Sequence, residues 1–289
     1  CLFFSILADH LANCLSSMPT NSLKNIITKF WFFYIKAKNN KSFYRISGMR
    51  RSGNHAIINW IIKQRPGATC FNNNMGPFHP PEDTIIKKII IKGLSKFNLF
   101  VSLEDKWTKD AFKAYDPEKF GEAKLKFNLL ILRDPYNMLA SRWVWKDEFG
   151  NLFREDLEHR KMIIEMWKDH ARIFLNWQKN EEEVDGERNI PVNYNRWFTD
   201  KDYREKLAQR LDLKFTDAGK EDISIYGHGS SFSKQKFDQQ ASKLKVLERW
   251  KGLVKDSEYR ALFQDSELRD LASSIFDVSE MEKALFDSE

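Results

Sequence analysis

Leu129-Leu130-Ile131-Leu132-Arg133-Asp134-Pro135-Tyr136-Asn137-Met138-Leu139-Ala140-Ser141-Arg142 carries the reading of this chain. The run over 127–132 is short and apolar, and Arg133-Asp134-Pro135 closes it. Such a run suits a strand buried on both faces of a parallel sheet. Asp134 followed by Pro135 starts a helix: a side-chain acceptor at the N-cap, then a ring whose fixed φ and missing N–H suit the first helical position. The pattern predicts that helix to about Trp145. Arg133 then stands at the carboxyl end of a buried strand, the edge at which open α/β sheets bind ligands. Ser141 lies two turns into the helix. A guanidinium at the helix mouth and a hydroxyl further along can hold one phosphate between them. Taken singly, Arg133 reads as a partner of Asp134 or a cap, and Ser141 as merely small.

Upstream, the sequence predicts a strand over 43–47, a tight loop from Gly48 to Gly53 and a helix over 54–64, ended by Pro66-Gly67. In Gly48-Met49-Arg50-Arg51-Ser52-Gly53-Asn54-His55 the glycines permit a tight turn, and backbone N–H groups at a helix start attract an anion. The two glycines have the spacing of an NTPase P-loop, but Asn54 and His55 stand where that motif has Lys and Ser or Thr. The cation instead precedes the second glycine, as Arg51. The plain alternative is a strand–helix turn with surface arginines.

Short strands are expected over 68–71, 99–103 and 190–194, with helices over 156–180 and 201–211, a Gly/Ser/Lys-rich loop over 217–240 and helix again from Ser242. Strands alternating with helices imply βαβ units: an α/β fold with a central parallel sheet flanked by helices. The polar stretch 39–41 divides an N-terminal helical appendage, 1–41, from the main domain, 42–289. Trp143, Trp145, Trp167 and Trp177 fall on predicted helices and read as core or interface. Glu181 to Glu183 reads as a solvated helix end, and Lys87 and Lys88 as an exposed helix face.

Hydrophobic residues are 42% of the 289, ample for one sizeable core. The net charge of +6 suits an anionic ligand, a polyanionic acceptor or a nucleic acid without choosing among them. The basic residues alternate with acids and no recognised nucleic-acid module is present, so no nucleic-acid partner is expected. Cys1, Cys14 and Cys70 make neither a disulfide framework nor a zinc pattern, so no metal is expected and a reducing, cytoplasmic setting is the simpler reading. No stretch approaches the roughly 20 apolar residues of a bilayer span. The chain opens on Cys1 rather than Met, which leaves open a trimmed anchor and with it a Golgi-lumen or membrane-associated setting, or peripheral membrane contact through the N-terminal helix.

The two sites together resemble the sulfotransferases that use 3'-phosphoadenosine 5'-phosphosulfate (PAPS). That family's 5'-phosphosulfate loop reads Lys-Ser/Thr-Gly-Thr-Thr, matched by Arg51-Ser52-Gly53-Asn54-His55. Its 3'-phosphate motif is Arg-Asp-Pro with a Ser eight positions after the Arg, matched by Arg133 and Ser141. Val192-Asn193-Tyr194 resembles its strand ending in Tyr, and Gly229 to Phe232 with Lys234 and Lys236 its late closing loop. The likeness covers roughly 43–250. Arg51 replaces a lysine, which changes the donor geometry. Ala56 stands where small-molecule enzymes carry an adenine-stacking Trp, so the likeness leans to the carbohydrate type.

The resemblance implies a P-loop NTPase-like sulfotransferase fold, PAPS as co-substrate without a metal, and in-line transfer to a hydroxyl or amine acceptor, a glycan among the candidates. It assigns donor binding to Arg50, Arg51, Ser52, Gly53, Asn54, His55, Arg133, Ser141, Tyr194, Ser231, Phe232 and Lys234. The catalytic candidates are Arg51, which balances charge, and Glu104 or His55 as the base. Glu104 follows the strand between the two phosphate motifs, where the family carries its base, and it also reads as a solvated acidic turn. His55 would sit at a helix N-terminus beside the donor. His79, His170 and His228 read as structural or surface, while Lys106 and Trp107 are candidates for the acceptor cleft, with acceptor loops at 72–81 and 104–115. A P-loop nucleotide kinase and a non-catalytic nucleotide-binding relative remain the alternatives.

Overall fold

The structure, a computed structural model, describes residues 40–73, 98–108, 111, 123–146, 150, 152–180, 183–184, 186–223 and 239–286. Strand β4 (Ala123–Leu132) shows how the core is organised. Its side chains alternate between two apolar clusters: Phe127, Leu129 and Ile131 enter one, Leu130 and Leu132 the other. Both faces are therefore dry, which is why an unbroken apolar run marks this strand. Neighbours β1 (Asn40–Gly48), β2 (Thr69–Asn72), β3 (Asn98–Glu104) and β6 (Glu187–Asn193) run parallel to it in the order β2-β3-β1-β4-β6. The two-residue β5 (Glu183–Val184) adds an antiparallel edge on β6.

One face of the sheet is covered by α1 (Asn54–Gln64), α4 (Tyr194–Thr199) and α5 (Lys201–Arg210). The other is covered by α2 (Pro135–Trp143), α3 (Leu157–Lys179), α6 (Ser257–Ala261), α7 (Ser266–Ile275) and α8 (Ser279–Phe286). Across the first face Phe100, Tyr44 and Phe127 lie in register on β3, β1 and β4 and stack with centroids 4.2 and 4.9 Å apart. Arg65, just past α1, donates to the Tyr44 hydroxyl at 2.6 Å.

The topology fixes where a ligand goes. After β1 the chain moves to β2 on one side, and after β4 it moves to β6 on the other. Loops leaving these two adjacent strands diverge and open a crevice at their carboxyl ends. Register brings Gly48 opposite both Glu104 and Ile131, and Leu132 opposite Asn193, so four strand ends meet at that edge.

Several boundaries differ from the sequence expectation. β1 begins at Asn40, inside the polar stretch read as a break. Tyr194 opens α4 rather than ending β6, because the Asn193 side chain accepts from the Arg196 N–H and caps a helix there. Glu183 lies in β5 and not on a helix end, since α3 stops at Lys179. After residue 240 the chain makes 3₁₀ turns first, and α-helix resumes only at Ser257. Trp145 lies beyond α2, which ends at Trp143. The appendage up to residue 39 and Lys87 and Lys88 lie outside the described residues.

Phe127→Ala should destabilise the protein by about 3–5 kcal/mol, because it removes one ring from a dry stack and leaves a cavity. Leu157→Ala, at a side chain that is 53% exposed, should cost no more than about 0.5 kcal/mol. Urea unfolding of the two variants checks the difference.

Candidate functional site

Residues 49–53 join β1 to α1 in a turn closed by the Ser52 N–H on the Met49 carbonyl at 3.1 Å. Arg51 and Gly53 take left-handed φ values of 73° and 83°. At Gly53 only glycine fits: besides its φ, a Cβ there would fall on the Tyr194 ring. Asp134, Asp156, Asn193, Asp200, Asp256 and Asp265 cap their helices through side-chain oxygens, whereas Gly53 offers α1 none. The first N–H groups of α1 therefore have no side-chain acceptor at the N-cap, and the helix keeps its positive potential there.

A cleft of about 280 Å³ opens above this loop. Of the residues singled out in the sequence, Arg50, Arg51, Gly53, Asn54, His55, Glu104, Arg133 and Tyr194 line it. Ser52 and Ser141 are fully buried behind its wall. Ser231, Phe232 and Lys234 lie outside the described residues, as do His79, His228 and most of the two expected acceptor loops. Trp145, Lys220 and Arg249 line the cleft without having been singled out for it.

Arg133 is 2% exposed. It does not pair with Asp134, whose carboxylate caps α2 and accepts from Asn195. Its guanidinium donates to the Arg51 carbonyl at 2.8 Å, to Ser141 Oγ at 3.3 Å and to the Val246 carbonyl, and it lies 5.4 Å from the Tyr194 ring. Arg249 donates to the same Ser141 Oγ at 2.6 Å, and that hydroxyl donates to the Asn137 carbonyl at 2.6 Å. Burial, with Arg133 and Arg51 close by, pulls the pKa of Arg249 down to about 9. Burial likewise lowers that of Arg133. Guanidinium groups of like charge are thus held together in a dry place.

Arg51 lies 5.2 Å from the Trp145 ring, and burial followed by the nearby Arg142 lowers its pKa. Asn54 donates through Nδ2 to Glu104 Oε1 at 2.9 Å and to the Met49 carbonyl at 3.1 Å. Glu104 thus presents its carboxylate at the cleft with one oxygen fixed. His55 Nε2 meets Asn73 Oδ1 at 2.7 Å. Neither Lys106 nor Trp107 lines the cleft; the Lys106 carbonyl instead meets Nε2 of the buried His170 at 2.9 Å. Lys220, also in the cleft wall, sits 4.4 Å from the Phe198 ring, with its pKa lowered by burial.

Five cationic side chains and only two carboxylates, Glu104 and Asp222, line this space among the described residues. Arg133 Nε and Trp197 Nε1, both on residues of its wall, are buried with no hydrogen-bond partner among the described residues. Excess positive charge with unmatched donors is the complement of a polyanionic ligand. Among the described residues no group of three or more His, Cys, Asp or Glu is placed to hold a metal ion, and no helix is long and apolar enough to cross a membrane.

No family model matches the chain, and no curated protein sequence does. Solved structures do. The sulfotransferase domain of the Synechococcus PCC 7002 olefin synthase is similar over 82% of this chain and 95% of its own, at 13% identity and a TM-score of 0.51. The mouse sulfotransferase SULT7A1 complexed with PAP is similar over 87% and 92%, at 11% identity and a TM-score of 0.47. The chain has the sulfotransferase fold.

Arg249→Met removes one of the crowded charges while keeping most of the side-chain volume. It should leave thermal stability unchanged or raised. Affinity for a phosphate-bearing nucleotide should fall about tenfold or more, the size expected for losing a charge-assisted hydrogen bond. Thermal melts with and without nucleotide check both signs.

Proposed function

We propose that the chain is a sulfotransferase that moves a sulfonate from PAPS to a hydroxyl or amine acceptor by in-line displacement. The observation that carries this reading is the presence of two cationic groups in one cleft: Arg133 with Arg249 and Ser141, and Arg51 on the loop before α1, a helix with no side-chain cap. A donor with a 3'-phosphate and a 5'-phosphosulfate needs two such centres. The sulfotransferase fold and the spacing from Arg133 to Ser141 support it further.

Each residue has a task. Arg133, Arg249 and Ser141 hold the 3'-phosphate. The loop 50–53 and Arg51 hold the 5' end, and Arg51 balances the charge that builds on the leaving oxygen. Tyr194 and the aromatic wall beside Lys220 take the base. PAPS supplies the sulfonate and leaves as adenosine 3',5'-bisphosphate. A new acceptor–sulfur bond forms as the bond from sulfur to the 5'-phosphate oxygen breaks, and the leaving oxygen keeps the electron pair. The acceptor proton goes to Glu104, the carboxylate that Asn54 orients at the cleft. His55 contacts the donor, and its bond to Asn73 leaves Glu104 the better base. Ala56 in the cleft wall is the position that leans the likeness to carbohydrate acceptors.

Calorimetry with adenosine 3',5'-bisphosphate, run without magnesium, tests this reading. Micromolar binding is expected, with ADP much weaker because it lacks the 3'-phosphate, and Arg133→Ala should abolish it. Equal binding of ADP, or none of either, would return the chain to the P-loop kinase or binding-protein class.

A further inference from the structure

Arg142 is fully buried on α2 yet carries a charge. It is paired with Asp105, the first residue after β3, which sits at a left-handed φ of 53° with its N–H on the Gly48 carbonyl. Neither residue lines the cleft. Together they grip the backbone of one loop residue, Arg50, through both of its flanking peptides. Asp105 Oδ1 accepts from the Arg50 N–H at 3.0 Å, and Arg142 Nη2 donates to the Arg50 carbonyl at 3.0 Å. The Arg50 guanidinium also reaches Asp105 Oδ2 at 3.7 Å.

A buried ion pair adds little net stability, because desolvating both charges offsets their attraction. What it supplies is direction. The residue after Arg50 is Arg51, a bulky residue held at φ 73°, where only a surrounding structure that over-determines the backbone keeps it. With the Arg50 carbonyl on Arg142 and the Arg51 carbonyl on Arg133, neither oxygen is free to face an anion in the cleft.

We propose that the Asp105–Arg142 pair is a positioning clamp for the 5' end of the cleft: it fixes the Arg50–Arg51 backbone so that the loop can cradle an anionic group. The ligand part of this inference rests on the reading of the loop as the 5'-phosphosulfate cradle. The clamp acts chiefly on the loop: Ser141 and Arg249 hold each other, and Arg133, besides meeting the Arg51 carbonyl, is held by Ser141 and the Val246 carbonyl.

The test compares Asp105→Asn, whose side chain tolerates positive φ, and the double variant Asp105→Asn with Arg142→Met, which removes both charges and so avoids an unpaired buried one. Calorimetry with 5'-AMP and 3'-AMP reads the two ends separately, and amide hydrogen exchange reads the loop without a ligand. Both variants should weaken 5'-AMP about tenfold, leave 3'-AMP within about twofold, and raise exchange at residues 49–53 while β4 stays protected. Equal weakening of both nucleotides would reduce the pair to a structural role and overturn the inference. So would unchanged exchange at 49–53. If the unmodified protein bound neither nucleotide, the donor reading itself would fall, and the exchange data alone would decide the clamp.

Discussion

The guanidinium of Arg133 ties three distant parts of the chain into one site. It reaches the Arg51 carbonyl in the first loop, Ser141 on α2 and the Val246 carbonyl late in the chain. Its place follows from β4: a strand buried on both faces must end at the sheet edge, and the residue that ends it is cationic. The cap on Asp134 then turns the chain at once into α2, which brings Ser141 and Arg142 back over the same loop. Without that strand end the loop would lack its anchor, and Arg249 would have no shared hydroxyl to meet.

The arrangement is unfavourable by itself. Burial disfavours the charges of Arg249, Arg133 and Arg51; Arg133 and Arg51 further disfavour that of Arg249, and Arg142 that of Arg51. The two dry cores on either face of the sheet, with the in-register stack of Phe100, Tyr44 and Phe127, must offset that repulsion. A fold that tolerates crowded cations beside unmatched donors is poised for an anion, whose binding relieves the repulsion and should stabilise the protein.

The sequence shows those parts of the site whose geometry is local. Gly48 to Gly53, α1 over 54–64, and the strand end, cap and helix around Arg133 are each set within one stretch of chain, by apolar runs, glycines and an Asp-Pro pair. Glu104 follows the same logic as the end of a strand. Arg249 and Lys220 are invisible in this way, because their partners Ser141 and Phe198 lie far off in sequence and no local pattern aims them. Trp145 had one signal: it stands two residues after Trp143, and positions two apart do not share a helix face, so both cannot belong to the α2 core. Tyr194 misled in its secondary structure, since a strand and a capped helix meet at Asn193 and only the cap geometry separates them.

The most direct measurement is a crystal structure of the protein with adenosine 3',5'-bisphosphate. The 3'-phosphate is expected on Arg133, Arg249 and Ser141, and the 5'-phosphate on the loop 50–53 with Arg51, within reach of Glu104. A nucleotide bound outside this cleft, or bound in it with its phosphates exchanged between the two ends, would contradict it.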